Sequence, residues 1–381
     1  MGDGGPALRV LVVSAEPPWP PHHGGRLRVA RMVDELGKHL AVRVVAPLEG
    51  PAPDGIAVDE LPAEAPVGVV ARTATGVPRL GRVLFGPVRQ EVLGRALARH
   101  RPGAVLVATS YLAAAARIDR VPVVVDFHDV ERRRLLSLAR VGPPRSRIVH
   151  GLEAAKARRW EPRVARRAAL VTAPSADDVG LLARSGAAVL HVPHGVDLFD
   201  PSPSPPRGPV TFVAGFAYAP NRDAARWVLR EVWPRLRRAE PELRLRLVGR
   251  RAHEIAAPLG VEVVGDPPEV DRYYEEAALV VAPVGVGGGP QLKVTEALSR
   301  GRAVVATSYS ARSAPAGAGA GVVVADGPEA FAAAVLHLWR DLPARRLVEK
   351  RLAGALPLPT WEQTCAPLVA ALERLAAPSS P

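Results

Sequence analysis

One cysteine, four lysines and few aromatic residues set the first limits on this chain of 381 residues. The single cysteine, Cys365, excludes a disulfide-built fold and suits a reducing compartment. Aromatic residues make up only 4%, which leaves little for stacking on nucleic-acid bases. Zinc-finger spacing and a recognition-helix pattern are also missing, so nucleic-acid binding would rest on charge alone. No apolar run reaches the roughly 18–20 uncharged residues of a membrane-spanning helix. Strand-like Leu8–Ser14 begins almost at once, with no basic and apolar leader before it, so no signal peptide is expected. Glycine (34) and proline (40) are plentiful but follow no fixed period, which excludes a collagen-like chain. Neither the dinucleotide fingerprint G-x-G-x-x-G nor the phosphate loop G-x-x-x-x-G-K-[ST] is found in the glycine-rich segments.

What is present is material for a core. Hydrophobic residues are 48% and charged residues 23%, and the length suggests about two domains. The formal charge is +12, carried by 46 Arg and only four Lys: Lys38, Lys156, Lys293 and Lys350. Codon bias toward arginine is the plain explanation. An anionic partner is the functional one: a nucleotide, a nucleic acid or an acidic membrane surface.

Short apolar runs alternate with helical stretches. In the first half the runs are Leu8–Ser14, Ala41–Ala46, Ala104–Ala108, Val121–Asp126, Ala169–Thr172 and Val189–Val192. Most are continuously apolar, the pattern of strands buried on both faces of a parallel sheet. Helices are expected over Arg26–His39 and Ile148–Arg167, and Ser175 with Asp178 has capping-box spacing for another. Residues 200–209, reading DPSPSPPRGP, cannot continue a helix or a central strand, and 201–209 is expected to be a linker. The alternation then restarts: Val210–Ala214, Arg244–Val248, Val261–Val264, Leu279–Ala282, Ala303–Ala306 and Gly321–Val324 as strands. Helices are expected over Arg222–Arg238, Val270–Ala277, Gln291–Ser299 and Pro328–Asp341, with a separate terminal helix over Pro359–Ala376. The fold class is therefore α/β: two doubly wound, Rossmann-like domains, 1–200 and 210–357, facing across a cleft. The segment 358–381 is a terminal helix and tail crossing back to the first domain.

In such sheets ligands bind beyond the carboxyl ends of the strands, so the loops after strands are searched for chemistry. In the first, Pro17–Arg26, the pair Gly24 and Gly25 opens a helix and would let backbone N–H groups approach an anionic or sugar group; a plain turn and cap is the alternative. In Val123–Glu131 a buried strand delivers His128 at its exit, suited to carry a proton or orient a hydroxyl, with Asp126 or Asp129 to fix its tautomer. A structural histidine is the competing reading. His194-Gly195-Val196-Asp197 reads as a turn ending the first domain. Gly215 follows the second domain's first strand, where a ligand can approach the backbone, and Asn221 is expected to cap the next helix.

The strongest segment is Gly285–Leu298. A strand ends, Gly287, Gly288 and Gly289 follow, and a helix is expected to begin near Pro290. The backbone amides of this loop, through Gln291 and Leu292, and the helix dipole make a cradle for a diphosphate. Lys293 adds a point charge where arginine is this chain's habit. Glu296, one turn on, is placed to accept from ribose hydroxyls, or else to form a surface ion pair with Lys293. Arg222, Arg250 and Arg251 are less certain partners for Lys293.

The order and content of these segments resemble the retaining glycosyltransferases of the GT-B fold. They look most like the large mannosyl- and glucosyltransferase family with a pair of glutamates eight positions apart. The resemblance runs over nearly the whole chain: PPHHGGRLR, HGVDLF, GFAYAPNRDAARW, LRLVGR, VEVVGDPPEVDRYYEEAALVVAP and GGGPQLKVTEALSRGRAVVAT. The family's second glutamate falls on Glu296, and its first falls on Gly288, so this chain lacks it. The resemblance implies transfer of a hexose-type sugar from a nucleotide-diphosphate donor to an acceptor, with retention. The acceptor would be a natural product, a glycolipid or a polysaccharide precursor. It places Gly24 and Gly25 by the donor diphosphate and His128 by the reacting carbon. No metal or other cofactor is expected, since no Asp-x-Asp or His/Cys ligand cluster stands out. A non-catalytic nucleotide-sugar-binding protein on the same fold is the rival reading. Acceptor loops are expected around Pro62–Phe85 and Arg132–Arg147, where Arg132–Arg134, Arg140, Arg145 and Arg147 could meet an anionic lipid surface or acceptor. The expected location is cytoplasmic, or peripheral to the inner face of the membrane.

Overall fold

The computed structural model describes residues 8–62, 78–141, 143–197, 199, 202–315, 318–353 and 358–376. These fall into two compact units. Unit 1 is Met1–Gly195 with Trp361–Pro381, and unit 2 is Val196–Thr360. The expected limits are 1–200, 210–357 and 358–381, so the segment expected as a linker falls inside unit 2.

Unit 1 holds a seven-stranded sheet built from β1 (Arg9–Val13), β2 (Ala41–Ala46), β3 (Ala57–Glu60), β4 (Ala104–Ala108), β5 (Val123–Asp126), β6 (Leu170–Ala173) and β7 (Val189–His191). All neighbours pair in parallel, in the order β3-β2-β1-β4-β5-β6-β7. Six of these strands were legible as apolar runs. The seventh, β3, was missed because it reads AVDE: an edge strand whose acids disguise it. Asp59 there takes the Arg43 guanidinium of β2 at 2.8 Å, so the edge is held partly by charge.

Helices cover the sheet. Gly24–Gly37 packs Val29, Met32, Val33 and Leu36 inward. The C-terminal helix Trp361–Ala376 joins the same core through Trp361, Cys365, Leu368 and Leu372. The chain therefore ends in the unit where it began, as the fold class anticipated. The helix runs close over the turn before β4: a Cβ on Gly103 would sit 2.8 Å from the Ala376 Cβ. Ser175 caps the helix Ala176–Ala183, accepting from Asp178 N at 3.1 Å as its spacing suggests. The stretch Arg132–Arg147, expected as an acceptor loop, is largely helical. Glu131–Leu138 is one helix, and Pro144–Arg167 runs for 24 residues. Much of the other expected acceptor loop, 63–77, lies outside the described residues; Arg79–Leu84 within it is helical.

Unit 2 holds β8 (Val210–Val213), β9 (Leu245–Gly249), β10 (Val261–Gly265), β11 (Leu279–Ala282), β12 (Val304–Ala306) and β13 (Val322–Val324). They form a second parallel sheet in the order β10-β9-β8-β11-β12-β13. Gly249 ends β9 with φ +131, and a Cβ there would lie 2.3 Å from the Ala214 carbonyl oxygen. Only glycine allows that approach. The single helix expected over Arg222–Arg238 is interrupted. Ala219–Trp227 and Trp233–Ala239 flank a π-helical turn, Val228–Val232, just before Pro234 removes an N–H from the ladder.

The proline-rich stretch expected as a linker belongs to unit 2 over its described part. Prolines supply carbonyls without donors, and Ser204 is 1% exposed, so those carbonyls need internal partners. Two fully buried arginines provide them. Arg345 donates to Pro205 O at 2.8 Å, Pro206 O at 3.0 Å and Ser204 Oγ at 3.1 Å. Arg302 donates to Ser202 O at 2.6 Å and also ties down Tyr274 O and Glu275 O. Carbonyl oxygens take most of the hydrogen bonds of these guanidinium groups, and the Glu349 carboxylate adds a favourable charge to both. Replacing Arg345 with Met strands several buried acceptors at once and should destabilise the protein by on the order of 3 kcal/mol in urea unfolding. An unchanged midpoint would show that the strap's carbonyls find partners elsewhere.

Candidate functional site

Each sheet has one place where the chain leaves in opposite directions from neighbouring strands. In unit 1 it lies at β1 and β4, and in unit 2 at β8 and β11. Crevices form beyond the carboxyl ends of such pairs. Gly24 and Gly25 follow β1, Gly215 follows β8 and the segment from Gly287 to Lys293 follows β11, whereas His128 follows β5 and Glu296 stands in the second turn of its helix.

In unit 1 the polar centre starts with Arg28 and Asp126. Arg28 faces inward from the helix Gly24–Gly37 and is 0% exposed; Asp126 ends β5 at 1%. The guanidinium donates to both carboxylate oxygens, at 2.8 and 2.7 Å. Thr172 Oγ1 from β6 donates to the same carboxylate. With Arg28 beside it, Asp126 stays well below the usual carboxylate range despite its burial. His128 Nε2 lies 3.1 Å from Asp126 Oδ2. Of the two carboxylates proposed to orient this histidine, the near one is therefore Asp126; Asp129 lies toward Arg134 at 3.9 Å.

Gly25 and His128 lie side by side. Gly24 and Gly25 are the first residues of their helix, capped by His23, whose Nδ1 accepts from Arg26 N at 3.5 Å. A Cβ on Gly25 would stand 3.4 Å from His128 Nδ1, in ordinary contact with the ring. A cavity of about 20 Å³ sits here, lined by Ser14, Glu16, Gly25, Thr109, Tyr111 and His128. It is large enough for about one water. Glu16 is held below its usual range chiefly by the hydrogen bond to His23, whose Nε2 is 3.3 Å away. Nearby, His194 stacks edge-on against Trp361 at 5.8 Å, and burial with the Arg28 charge holds it well below the usual imidazole range. A larger hollow of about 1140 Å³ lies elsewhere in unit 1, against Phe85, Val107, Ile118 and Trp160, away from these groups.

In unit 2 the centre is Lys293. It is 8% exposed. Its Nζ donates to Gln291 Oε1 at 2.8 Å and Asn221 Oδ1 at 3.3 Å, and lies 5.8 Å from the Phe212 ring centroid. An ammonium has three donors, and two have partners among the described residues. Burial pushes its pKa down to about 8, against a raising influence from Glu296. Gly215 joins through Asn221, whose Nδ2 donates to Gly215 O at 2.9 Å. Beside Gly215 the space is open: a Cβ there meets nothing within 4 Å among the described residues.

The glycine loop has the backbone that its composition implies. Gly287 has φ +149 and Gly289 φ +62, where side chains with a Cβ are strained. A Cβ on Gly287 would sit 3.1 Å from Tyr218 Oη and 3.3 Å from Tyr309 Oη. Gly288 N donates to Tyr218 Oη at 3.3 Å and Gln291 N to Ser313 Oγ at 2.7 Å, so two of the expected anion-facing amides already have partners.

Several sequence expectations need correction here. The helix after the loop is Leu292–Ser299, so Pro290 precedes it rather than opening its first turn. Asn221 does not cap its helix; Tyr218 holds that position, and Asn221 serves Lys293 and Gly215 instead. Arg222 turns back to Phe216 O and Ala217 O, and Arg251 pairs with Glu254. Glu296 accepts from Tyr274 Oη at 2.6 Å, the interaction it makes in place of an ion pair with Lys293. Sequence reading passed over Arg28, Glu16, Tyr218 and Ser313. Only Arg28 left a trace, as an arginine inside an otherwise apolar helical stripe. Among the described residues no three His, Cys, Asp or Glu side chains gather closely enough to hold a metal ion.

Comparison with known proteins adds to this geometry. Residues 23–199 match the family described as Glycosyltransferase Family 4, and residues 208–341 match Glycosyl transferases group 1, together 311 of the 381 residues. No curated protein matches the sequence. Among solved structures, sucrose-phosphate synthase from Thermosynechococcus elongatus superposes with a TM-score of 0.71 at 15% identity, covering 97% of this chain and 99% of that one. The Anabaena protein HepE in complex with UDP and glucose gives 0.64 at 15% identity, over 96% and 99%. WaaG, a glycosyltransferase involved in lipopolysaccharide biosynthesis, gives 0.63 at 14%, over 96% and 98%. At such identities these likenesses speak for the fold.

The lowered affinity of Lys293 for its proton has a measurable sign. The folded protein holds this proton less tightly (about 8) than an unfolded chain does (ordinary value 10.5), so the charge costs stability below pH 8 and the cost fades by 10.5. The stability difference between wild type and Lys293→Met should therefore shift in favour of wild type by about 3 kcal/mol from pH 7 to 10.5, followed by urea unfolding. A difference independent of pH would mean that the amine titrates normally.

Proposed function

This chain belongs to the GT-B glycosyltransferases, and from that premise we propose that it moves a hexose-type sugar from a nucleotide-diphosphate donor to a hydroxyl of an acceptor, with retention of anomeric configuration. The observation that carries this reading is the buried Lys293 ammonium at the start of a helix, behind a glycine loop at the switch of a parallel sheet.

Departure of a nucleoside diphosphate leaves negative charge on the bridging oxygen. Groups already fixed around that charge stabilise it more in the transition state than in the ground state. Lys293 is such a group, held by Gln291 and Asn221 before any ligand arrives. An anion there completes the amine's donors and raises its pKa, so the ammonium is retained. The helix N-terminus at Leu292 and amides of Gly287–Gly289 add dipoles of the same sign. For Gly288 this requires exchange of its contact with Tyr218 Oη. Glu296 keeps one carboxylate oxygen toward Tyr274, and the other is assigned to the ribose hydroxyls. With glycine at 288, recognition of the sugar passes to the backbone around Gly287–Leu292. HepE has also been solved with UDP-glucose, which makes a UDP-sugar the first donor to try.

In unit 1, His128 is assigned to the hydroxyl chemistry near the reacting carbon. Asp126, itself held by Arg28 and Thr172, lies 3.1 Å from its Nε2 and is assigned to orient the ring. Asp126 is then a positioning group and not a nucleophile, because its oxygens are already engaged. The acceptor is assigned only by class: a natural product, a glycolipid or a polysaccharide precursor.

The test is release of nucleoside diphosphate from a panel of UDP-, GDP- and dTDP-sugars with candidate acceptors, with products read by mass spectrometry. Lys293→Ala should lower turnover by two or more orders of magnitude, a loss of about 3 kcal/mol in transition-state stabilisation. His128→Ala should lower it about 10²- to 10⁴-fold. Tight nucleotide binding without turnover on any pair would instead favour a binding protein on this fold.

A further inference from the structure

The surplus positive charge is not spread over the chain. Residues 131–167 hold twelve Arg and Lys against three Glu, so these 37 residues carry +9 of the formal +12. They form the paired helices Glu131–Leu138 and Pro144–Arg167, which pack against each other and are joined by Arg147 Nε donating to Ala139 O at 3.2 Å. Nine of the twelve basic residues are exposed. All three acids are buried: Glu131 at 6%, Glu153 at 8% and Glu161 at 5%. Glu161 is used by the backbone N–H of Glu131 at 2.6 Å, and Glu153 by Lys156 at 2.6 Å. These helices thus present cations outward and keep their acids inside. Codon bias accounts for the number of arginines, but not for this sorting.

The same surface exposes large apolar side chains. Ile148 is 64% exposed, Leu152 61%, Leu136 44% and Val149 36%. On the long helix, Arg145, Ile148, Leu152, Arg159, Arg163 and Arg166 follow each other at helical spacing and share one face. Apolar residues stand on the first half of the stripe and cations on the second. A nucleic acid offers phosphate to the cations but nothing to isolated isoleucine and leucine side chains. A bilayer surface offers both anionic headgroups and an apolar layer beneath them.

We propose that the outer face of the helices Glu131–Leu138 and Pro144–Arg167 docks on an anionic lipid surface, with Ile148 and Leu152 entering the headgroup boundary and the arginine stripe lying over the phosphates. The contact is peripheral: among the described residues no helix is long and apolar enough to cross a membrane. The proposal does not depend on donor chemistry and stands or falls separately from it.

The full chain is tested by co-sedimentation with vesicles of phosphatidylcholine, with and without phosphatidylglycerol, over a range of salt. Binding is expected only to the anionic vesicles and should fall as salt rises. The pair Arg159→Glu and Arg163→Glu should lower partitioning about tenfold or more. Ile148→Ser with Leu152→Ser should lower it severalfold at a salt where the charge contribution is screened. Because all four residues are exposed, thermal melts should match wild type, which separates lost binding from lost folding. The proposal is overturned by equal binding to neutral vesicles, by no binding to either, or by apolar variants that bind unchanged. Preference for duplex DNA over anionic vesicles in direct competition would overturn it as well.

Discussion

The bidentate contact of Arg28 with Asp126 is the constraint from which the polar centre of unit 1 follows. A buried carboxylate in a parallel sheet is costly unless a cation meets it in good geometry. Here the guanidinium does so from an adjacent helix, with Thr172 donating to the same group. That contact sets the position of the helix whose first residues are Gly24 and Gly25. It also keeps Asp126 ionised, and Asp126 lies against His128. Gly25 packs against the His128 ring. Helix register, carboxylate charge and imidazole position are parts of one arrangement.

The chain uses its cations in three different ways, and the chemistry of each explains the residue type. Arg28, Arg302 and Arg345 are fully buried where several fixed acceptors surround them, and a planar fork with five donors suits that. Lys293 is buried with the amide oxygens of Gln291 and Asn221 for hydrogen-bond partners, and a compact ammonium fits between them. The arginines of Pro144–Arg167 are exposed and sorted away from buried acids. The +12 total conceals these differences, since a count has no inside or outside.

Much of the fold was legible in the sequence. Twelve of the thirteen strands among the described residues were legible as runs rich in Val, Leu and Ala; most lack polar alternation because they are covered on both faces, while Arg43, Arg246 and Glu262 stand in β2, β9 and β10. The lost strand, β3, is an edge whose Asp59 pairs to both Arg43 and His100. The glycine loop and Lys293 were legible as well, since positive φ and a lone lysine among arginines both mark the sequence. The partners were not. Tyr218 lies 70 positions from Gly288, and Asn221 lies 72 from Lys293. Asn221 read as a helix cap because local rules place Asn at helix starts; a buried amine outweighed that preference.

By itself, then, the sequence determined the α/β class, the alternation that makes two parallel sheets, and the glycine-rich loops that follow the strands. Those features are local: periodicity, glycine and proline act over a few residues. Tertiary structure decided which carboxylate stands by His128, that Lys293 is buried and weakly basic, and that the proline strap is held by Arg302 and Arg345. It also decided that the acids of the basic helices face inward. Each of these depends on burial and on partners many residues away, and only the folded chain brings those together.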